Sequence, residues 1–230
     1  TWDNFDQDGK PVSWIKSSFL PTYDVKSQST ETEKIDSNML KIKNLTSYND
    51  NTQQIISNLQ YIASTYFKWI KDESKEANHN EYGLRNITKC EEIYTRMING
   101  IQLLSQNDSA MQAFQLANTA IYIQMFQTES NFSKKDGHEV FERSDKLQLS
   151  FSEYGTAKYP NEKQDPSWRP FQLAFILQCI PSFVDENSKD RDLVDLLYFP
   201  TGGGKTEAYL ALSAFLIFWR RLVYKNEYDG

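Results

Sequence analysis

The residues best suited to chemistry stand in one short run, Pro200-Thr201-Gly202-Gly203-Gly204-Lys205-Thr206. An apolar stretch, residues 193–199, precedes it, and a longer one, residues 205–224, follows. Their lengths and composition predict a short buried strand, a glycine-rich turn and an apolar helix, the order of a phosphate-binding loop. Each residue type suits that task. Glycines accept positive φ and let backbone N–H groups approach an anion with no Cβ in the way. The helix that follows offers unpaired N–H donors and the positive end of its dipole. Lys205 would reach the β- and γ-phosphate oxygens as a point charge, and the Thr206 hydroxyl would ligate Mg²⁺. The run therefore predicts an ATP–Mg²⁺ site formed by Thr201, Gly202, Gly203, Gly204, Lys205 and Thr206, with Lys205 and Thr206 in the catalytic roles. Phe199 stands where such loops usually have their first glycine. The close phosphate contacts come from the later loop residues, so the substitution leaves the prediction in place.

Such a loop needs flanking elements to hold it. Residues 193–199 read as a buried parallel strand, with Asp195 as the misfit. Upstream, Pro170 suits the first turn of a helix that continues through Leu173, Phe175, Ile176 and Ile180 to about Pro181. The charged run 185–192 reads as a surface loop. The first half has a different texture. Apolar residues recur at helical spacing over 51–71, with Asn51 or Thr52 as N-cap, and again over 87–104. Residues 109–127 are apolar on nearly all faces, as in a helix buried among others. Residues 131–144 read as a charged loop, and 146–151 alternate like a short strand. The expected fold is a mainly α N-terminal region followed by the start of an α/β P-loop domain with an incomplete parallel sheet. A lone strand cannot pair its own backbone. Its neighbours, and the sheet on which helix 205–224 would bury its apolar surface, are expected from later chain or from another chain.

Composition narrows the partners. Among 230 residues, 25 are Lys or Arg and 31 are Asp or Glu, a net charge of −6, so any nucleic-acid contact must be local rather than driven by a general positive field. An aromatic content of 14% argues for a packed core. Two cysteines, Cys90 and Cys179, are too few for a four-cysteine zinc site, and unpaired thiols in a reducing compartment are expected. His79 and His138 lie in polar stretches without neighbouring ligands. The longest apolar stretch, residues 210–219, is too short to span a bilayer, and the acidic N-terminus is no secretory signal, so a cytoplasmic location without membrane contact is expected.

Two segments carry a family resemblance. FPTGGGKTEA resembles motif I of superfamily-2 helicases and translocases, and Trp168-Arg169-Pro170-Phe171-Gln172 is similar to the Arg-Pro-aromatic-Gln element ahead of motif I in many of them. More narrowly, WRPFQLAFILQCIPSFVD together with RDLVDLLYFPTGGGKTEAYLALSAFLIFWRRL resembles the DrmA-type helicases of bacterial DISARM anti-phage systems. AFQLANTAIYIQM resembles the region ahead of the helicase core in that family. The likeness runs over about 168–222, and residues 1–108 add little to it. The resemblance implies a RecA-like ATP-binding domain in a bacterial, ATP-dependent DNA helicase or translocase that works with a partner subunit of the defence complex. It also implies that Arg169 and Gln172 belong to the cofactor site, with Gln172 reading adenine through paired donor and acceptor contacts. In that family an acidic Asp-Glu motif and the arginines of a second lobe complete the motor. The chain is therefore expected to be an N-terminal fragment ending just after motif I, which binds nucleotide weakly and does not hydrolyse it.

The expected organisation is a polar extended arm over 1–37, a helical domain over 38–150, a linker over 151–167 and the beginning of the ATP-binding domain over 168–230. Two other readings stay open at this point. One is a P-loop ATPase switch without strand separation. The other is a non-catalytic helical module for interaction or DNA gating, with the glycine loop incidental.

Overall fold

The computed structural model describes residues 35–77, 81–130, 132–135, 138–141, 166–197 and 203–224, with 126–141 as backbone only. Most of the expected arm and linker, the strand at 146–151, and Thr201 and Gly202 lie outside the described residues.

Two 3-10 turns, Ser37–Leu40 and Ile42–Leu45, lead into helix α1, Thr52–Ala77. The Asn51 side chain accepts from the Gln54 backbone N–H at 3.0 Å and caps the helix. Ile55, Ile56, Leu59, Ile62, Ala63 and Ile70 are buried, at the spacing that puts them on one stripe. Helix α2, Glu81–Gln106, runs back along α1. Phe67 stacks on Tyr94 with ring centroids 4.6 Å apart, and one turn further Lys71 pairs with Glu91 at 2.9 Å. As numbers rise on one helix they fall on the other, which is the register of an antiparallel pair.

Helix α3, Asp108–Ser130, is capped by Asn107, whose side chain accepts from Ala110 N–H at 3.0 Å. It buries Ala110, Met111, Ala113, Phe114, Ala117, Ile121 and Tyr122, because the second 3-10 turn, α2 and α5 surround it. Helix α4, Pro170–Val184, begins on Pro170 and holds Pro181 in its last turns. It crosses α2 so closely at Gly100 that a Cβ there would overlap the Leu177 carbonyl oxygen. Helix α5, Lys205–Val223, buries Ala208, Ala211, Leu212, Phe215 and Trp219 against α3 and α4.

The entry to α4 is laced to the first turns. Ile42 N–H donates to Pro166 O at 3.0 Å, and Trp168 N–H donates to Leu40 O at 2.8 Å. The Trp168 ring is 1% exposed, and its indole N–H donates to the Asn118 side-chain oxygen at 2.7 Å, so the one polar atom of a buried aromatic is satisfied.

Three expectations are corrected. The start of a RecA-like α/β domain with an incomplete parallel sheet does not form among the described residues. Residues 193–197 are neither strand nor helix, and Val194 and Leu196 are 97% and 85% exposed. A strand persists only when its N–H and C=O groups are paired, and among the described residues no strand lies beside this segment. Asp195, the misfit, is drawn instead to an arginine of α2. Second, α5 finds its apolar cover on helices α3 and α4 rather than on a sheet, so α4 and α5 share one core with α1–α3. Third, the charged stretch after α3 contains an antiparallel hairpin, β1 Phe132–Lys135 and β2 His138–Phe141, in register Phe132↔Phe141 and Lys135↔His138. Its sequence carries Asp136-Gly137, a pair that favours two-residue hairpin turns.

Candidate phosphate-binding site

The first turns of α4 and α5 meet at the glycine run. Gly204 is the N-cap of α5 with φ +85°, in the left-handed region. Gly203 and Gly204 are held from α4. The Arg169 guanidinium donates to Gly203 O at 2.9 Å, and the Gln172 side-chain amide donates to Gly204 O at 2.6 Å. The Gln172 side-chain oxygen in turn accepts from Arg169 N–H at 2.8 Å, half of a capping box that fixes the rotamer. Gln172 is 4% exposed, a buried polar side chain with both ends engaged.

Those two contacts set the direction of the backbone donors. Described peptide bonds are all trans. In a trans peptide the N–H points opposite to the preceding C=O. With the Gly203 and Gly204 carbonyls turned toward α4, the N–H groups of Gly204 and Lys205 face away from it, side by side. Successive N–H groups across a left-handed and a right-handed residue make an anion-binding concavity, here at the positive end of the α5 dipole. Lys205 is half-buried and Thr206 exposed in the first turn. The structure thus brings Arg169, Gln172, Gly203, Gly204, Lys205 and Thr206 together.

One feature of the site was not anticipated. The Glu207 Oε2 atom is buried with no hydrogen-bond partner among the described residues, and it would lie 3.4 Å from a Cβ on Gly204. Its signal in the sequence is weak, since a carboxylate in the first turn of a helix is ordinary.

A second polar cluster sits where the chain approaches the loop. Arg96 on α2 makes a bidentate pair with Asp195, Nη1 and Nη2 each 2.7 Å from a carboxylate oxygen, and its Nε donates to Asp190 at 3.1 Å. Arg96 holds the Asp195 carboxyl below the usual aspartate range through these hydrogen bonds, against the opposing effect of burial. The Cys179 thiol, 3.8 Å from the same carboxylate, is pushed up to about 12, chiefly by burial, and stays protonated at neutral pH. Because the folded carboxyl binds its proton later than the unfolded one, the pair contributes its full stability above the ordinary aspartate range. That contribution is lost as pH falls toward the folded value. Urea melts of Asp195→Asn should therefore show a deficit against wild type at pH 7 that shrinks steadily as pH falls below the ordinary aspartate range, about 4. A deficit that stays constant there would remove the pair from the acid response.

Among the described residues, no group of three or more His, Cys, Asp or Glu is placed to hold a metal, and no helix is long and apolar enough to cross a membrane. No family model matches the chain. Comparison with curated proteins finds DISARM protein DrmA of Bacillus paralicheniformis, 36% identical over 220 residues. The likeness is to DrmA. It takes in 92% of this chain and 18% of that protein, so the chain spans less than a fifth of the relative's length. An identity of this size over nearly the whole chain supports a DrmA-like assignment. It also extends well beyond residues 168–222, into the helices that pack behind the glycine run.

Proposed function

We propose that the chain is part of a DrmA-like protein of a bacterial DISARM anti-phage defence system, and that it binds ATP–Mg²⁺ where α5 begins. The observation that carries this reading is the grip of Arg169 and Gln172 on the Gly203 and Gly204 carbonyls. It leaves two adjacent backbone N–H groups oriented for a phosphate before any ligand arrives. In a helix that simply begins at a glycine, the N-cap carbonyl has its intrahelical bond alone and no side chain reaches the carbonyl before it. Lys205 follows at once, suited to the β- and γ-phosphates. The exposed Thr206 hydroxyl suits Mg²⁺, a hard cation that keeps most of its waters and takes few protein ligands. Bound ATP–Mg²⁺ would supply the phosphoryl group whose hydrolysis drives a motor. The residues of this chain bind and orient it.

Gln172 spends one of two N–H donors and one of two oxygen lone pairs on the chain. The remaining donor and acceptor would suit the paired edge of adenine, but the side chain is only 4% exposed, so in this arrangement it acts on the loop backbone rather than on a base. For the whole protein, the function proposed is ATP-dependent translocation on DNA or separation of its strands, in the cytoplasm, with a partner subunit of the defence complex.

Thermal denaturation with and without nucleotide tests the site. At a ligand concentration about a hundredfold above Kd, binding should add about 2.7 kcal/mol to stability and raise Tm by several degrees. ATP with Mg²⁺ should give this rise in wild type, and Lys205→Ala should abolish it, each rise being judged against the same chain's own ligand-free Tm. A Tm unmoved by millimolar ATP–Mg²⁺ in wild type would defeat the reading.

A further inference from the structure

We infer that Arg96 is a positioning residue for the glycine loop: from α2 it fixes the segment that enters the loop, and so ties the loop to the packing of the helical bundle. The nucleotide arm of this inference rests on the function proposed above.

Among the described residues, little else holds 193–197. Leu193, Val194 and Leu196 turn their side chains to solvent, and Leu197 alone of the apolar residues packs partly against the core. Among the described residues, the segment's one backbone–backbone hydrogen bond is Leu193 N–H to Asp190 O at 3.2 Å, at its start. The polar anchor is Asp195, clamped by the planar fork of Arg96. The Arg96 side chain is only 13% exposed, and those of Asp190 and Asp195 are 21% and 27% exposed. Water and salt therefore screen the pair less than a surface ion pair, and the bidentate geometry fixes direction as well as distance. A lysine could keep the charge but not the fork.

The loop is then gripped from both sides by one frame. Downstream, Arg169 and Gln172 at the start of α4 hold Gly203 and Gly204. Upstream, Arg96 holds Asp195, and Cys179 in the second half of α4 lies against the same carboxylate. Helices α2 and α4 cross in close contact at Gly100, one turn beyond Arg96. A displacement of α2 against α4 would therefore pull on Asp195 while Gly203 and Gly204 stayed fixed to α4.

The test uses the full chain as wild type, Arg96→Met, Arg96→Lys and the exchanged pair Arg96→Asp/Asp195→Arg. Two readouts are taken well below Tm: amide hydrogen exchange over residues 193–204, and ATP–Mg²⁺ affinity. Arg96→Met should speed exchange in that window and weaken ATP–Mg²⁺ about tenfold, the effect of a loop that is competent about a tenth of the time. Arg96→Lys should fall between, and the exchanged pair should recover part of both losses. If Arg96→Met does not fold, Arg96→Met/Asp190→Asn/Asp195→Asn, which leaves neither carboxylate without its arginine, takes its place. Unchanged exchange over 193–204 overturns the inference. So does faster exchange with undiminished affinity in a chain whose wild type binds ATP–Mg²⁺. A wild type that binds no ATP–Mg²⁺ defeats the proposed function instead, and the exchange arm alone then decides whether Arg96 positions the loop.

Discussion

Gly100→Ala should destabilise the chain by about 2–4 kcal/mol and lower Tm by roughly 5–15 °C, although alanine is the better helix former. Gly100 is buried in the second half of α2, and a Cβ there would overlap the Leu177 carbonyl oxygen of α4. Had the obstacle been the end of a flexible side chain, a rotamer change would relieve it. The Leu177 carbonyl stands four residues before Pro181, which has no N–H to give it, but it is backbone in the body of α4 and moves only with the helix, so α2 and α4 must move apart. Separation loosens the core around Ile101 and Leu177, both within 2% of full burial. Overpacking of a tight core costs about 1–3 kcal/mol, and more where backbone must shift. The gain in helix propensity, about 1 kcal/mol, opposes this and is too small to cancel it. Urea and thermal melts of the single variant decide the matter. A Tm equal to or above wild type would show that the helices do not cross this closely. Since α4 carries Arg169 and Gln172, a destabilised Gly100→Ala should also bind ATP–Mg²⁺ less tightly at temperatures where it remains folded.

The helices were legible in the sequence because each has an apolar stripe, and their ends were legible only where a cap marks them. Asn51 marked the start of α1. The same helix runs on to Ala77, past the last stripe residue, because its polar final turns carry no periodic signal. α2 likewise begins at Glu81, ahead of its apolar stripe. The strand expected over 193–199 is not formed in its described part, 193–197, for a physical reason. An apolar run meets the composition of a buried strand, but a strand is made by its neighbours, and composition says nothing about whether neighbours exist. Asp195 was the one residue in that run that spoke against burial, and its partner Arg96 lies 99 positions away, beyond the reach of any local pattern. The hairpin after α3 was missed for the opposite reason, since its strands are mostly polar and only Asp136-Gly137 hints at a turn.

The candidate site was suggested by residue type, and its wiring was illegible. Glycines followed by Lys205 and Thr206 predict a phosphate loop from chemistry alone. Arg169 and Gln172 entered through a resemblance, as a base-reading element. In the structure their polar atoms meet the Gly203 and Gly204 carbonyls, so each is first a clamp on the loop backbone. Side chains that hold backbone carbonyls leave no spacing signature, because the groups they bind are present at every residue.

That clamp makes Gly204→Ala the sharpest test of the site, with ATP–Mg²⁺ affinity expected to fall at least about thirtyfold. Two costs act together. An L-residue in the left-handed region pays about 1–2 kcal/mol. The new Cβ would also lie 2.5 Å from the Gln172 side-chain nitrogen, closer than any carbon can sit. Gln172 must swing out, and its amide and the Gly204 carbonyl lose their hydrogen bond in a site where Gln172 is 4% exposed, at a further cost of about 1–3 kcal/mol. The chain can escape both by letting Gly204 leave the left-handed region, and that turns the Gly204 and Lys205 N–H groups away from a shared anion. If 2 kcal/mol or more favours the escaped form, the competent loop is populated about one part in thirty, and apparent affinity falls by that factor. The double variant Gly204→Ala/Gln172→Ala separates the two costs. Removing the Gln172 side chain should restore part of the lost Tm, since the clash is gone. It should restore none of the affinity, since the strain remains and the clamp is now absent. Wild-type affinity in Gly204→Ala would mean that the phosphate is held elsewhere, and recovery of affinity in the double variant would mean that Gln172 obstructs the ligand rather than shaping the loop.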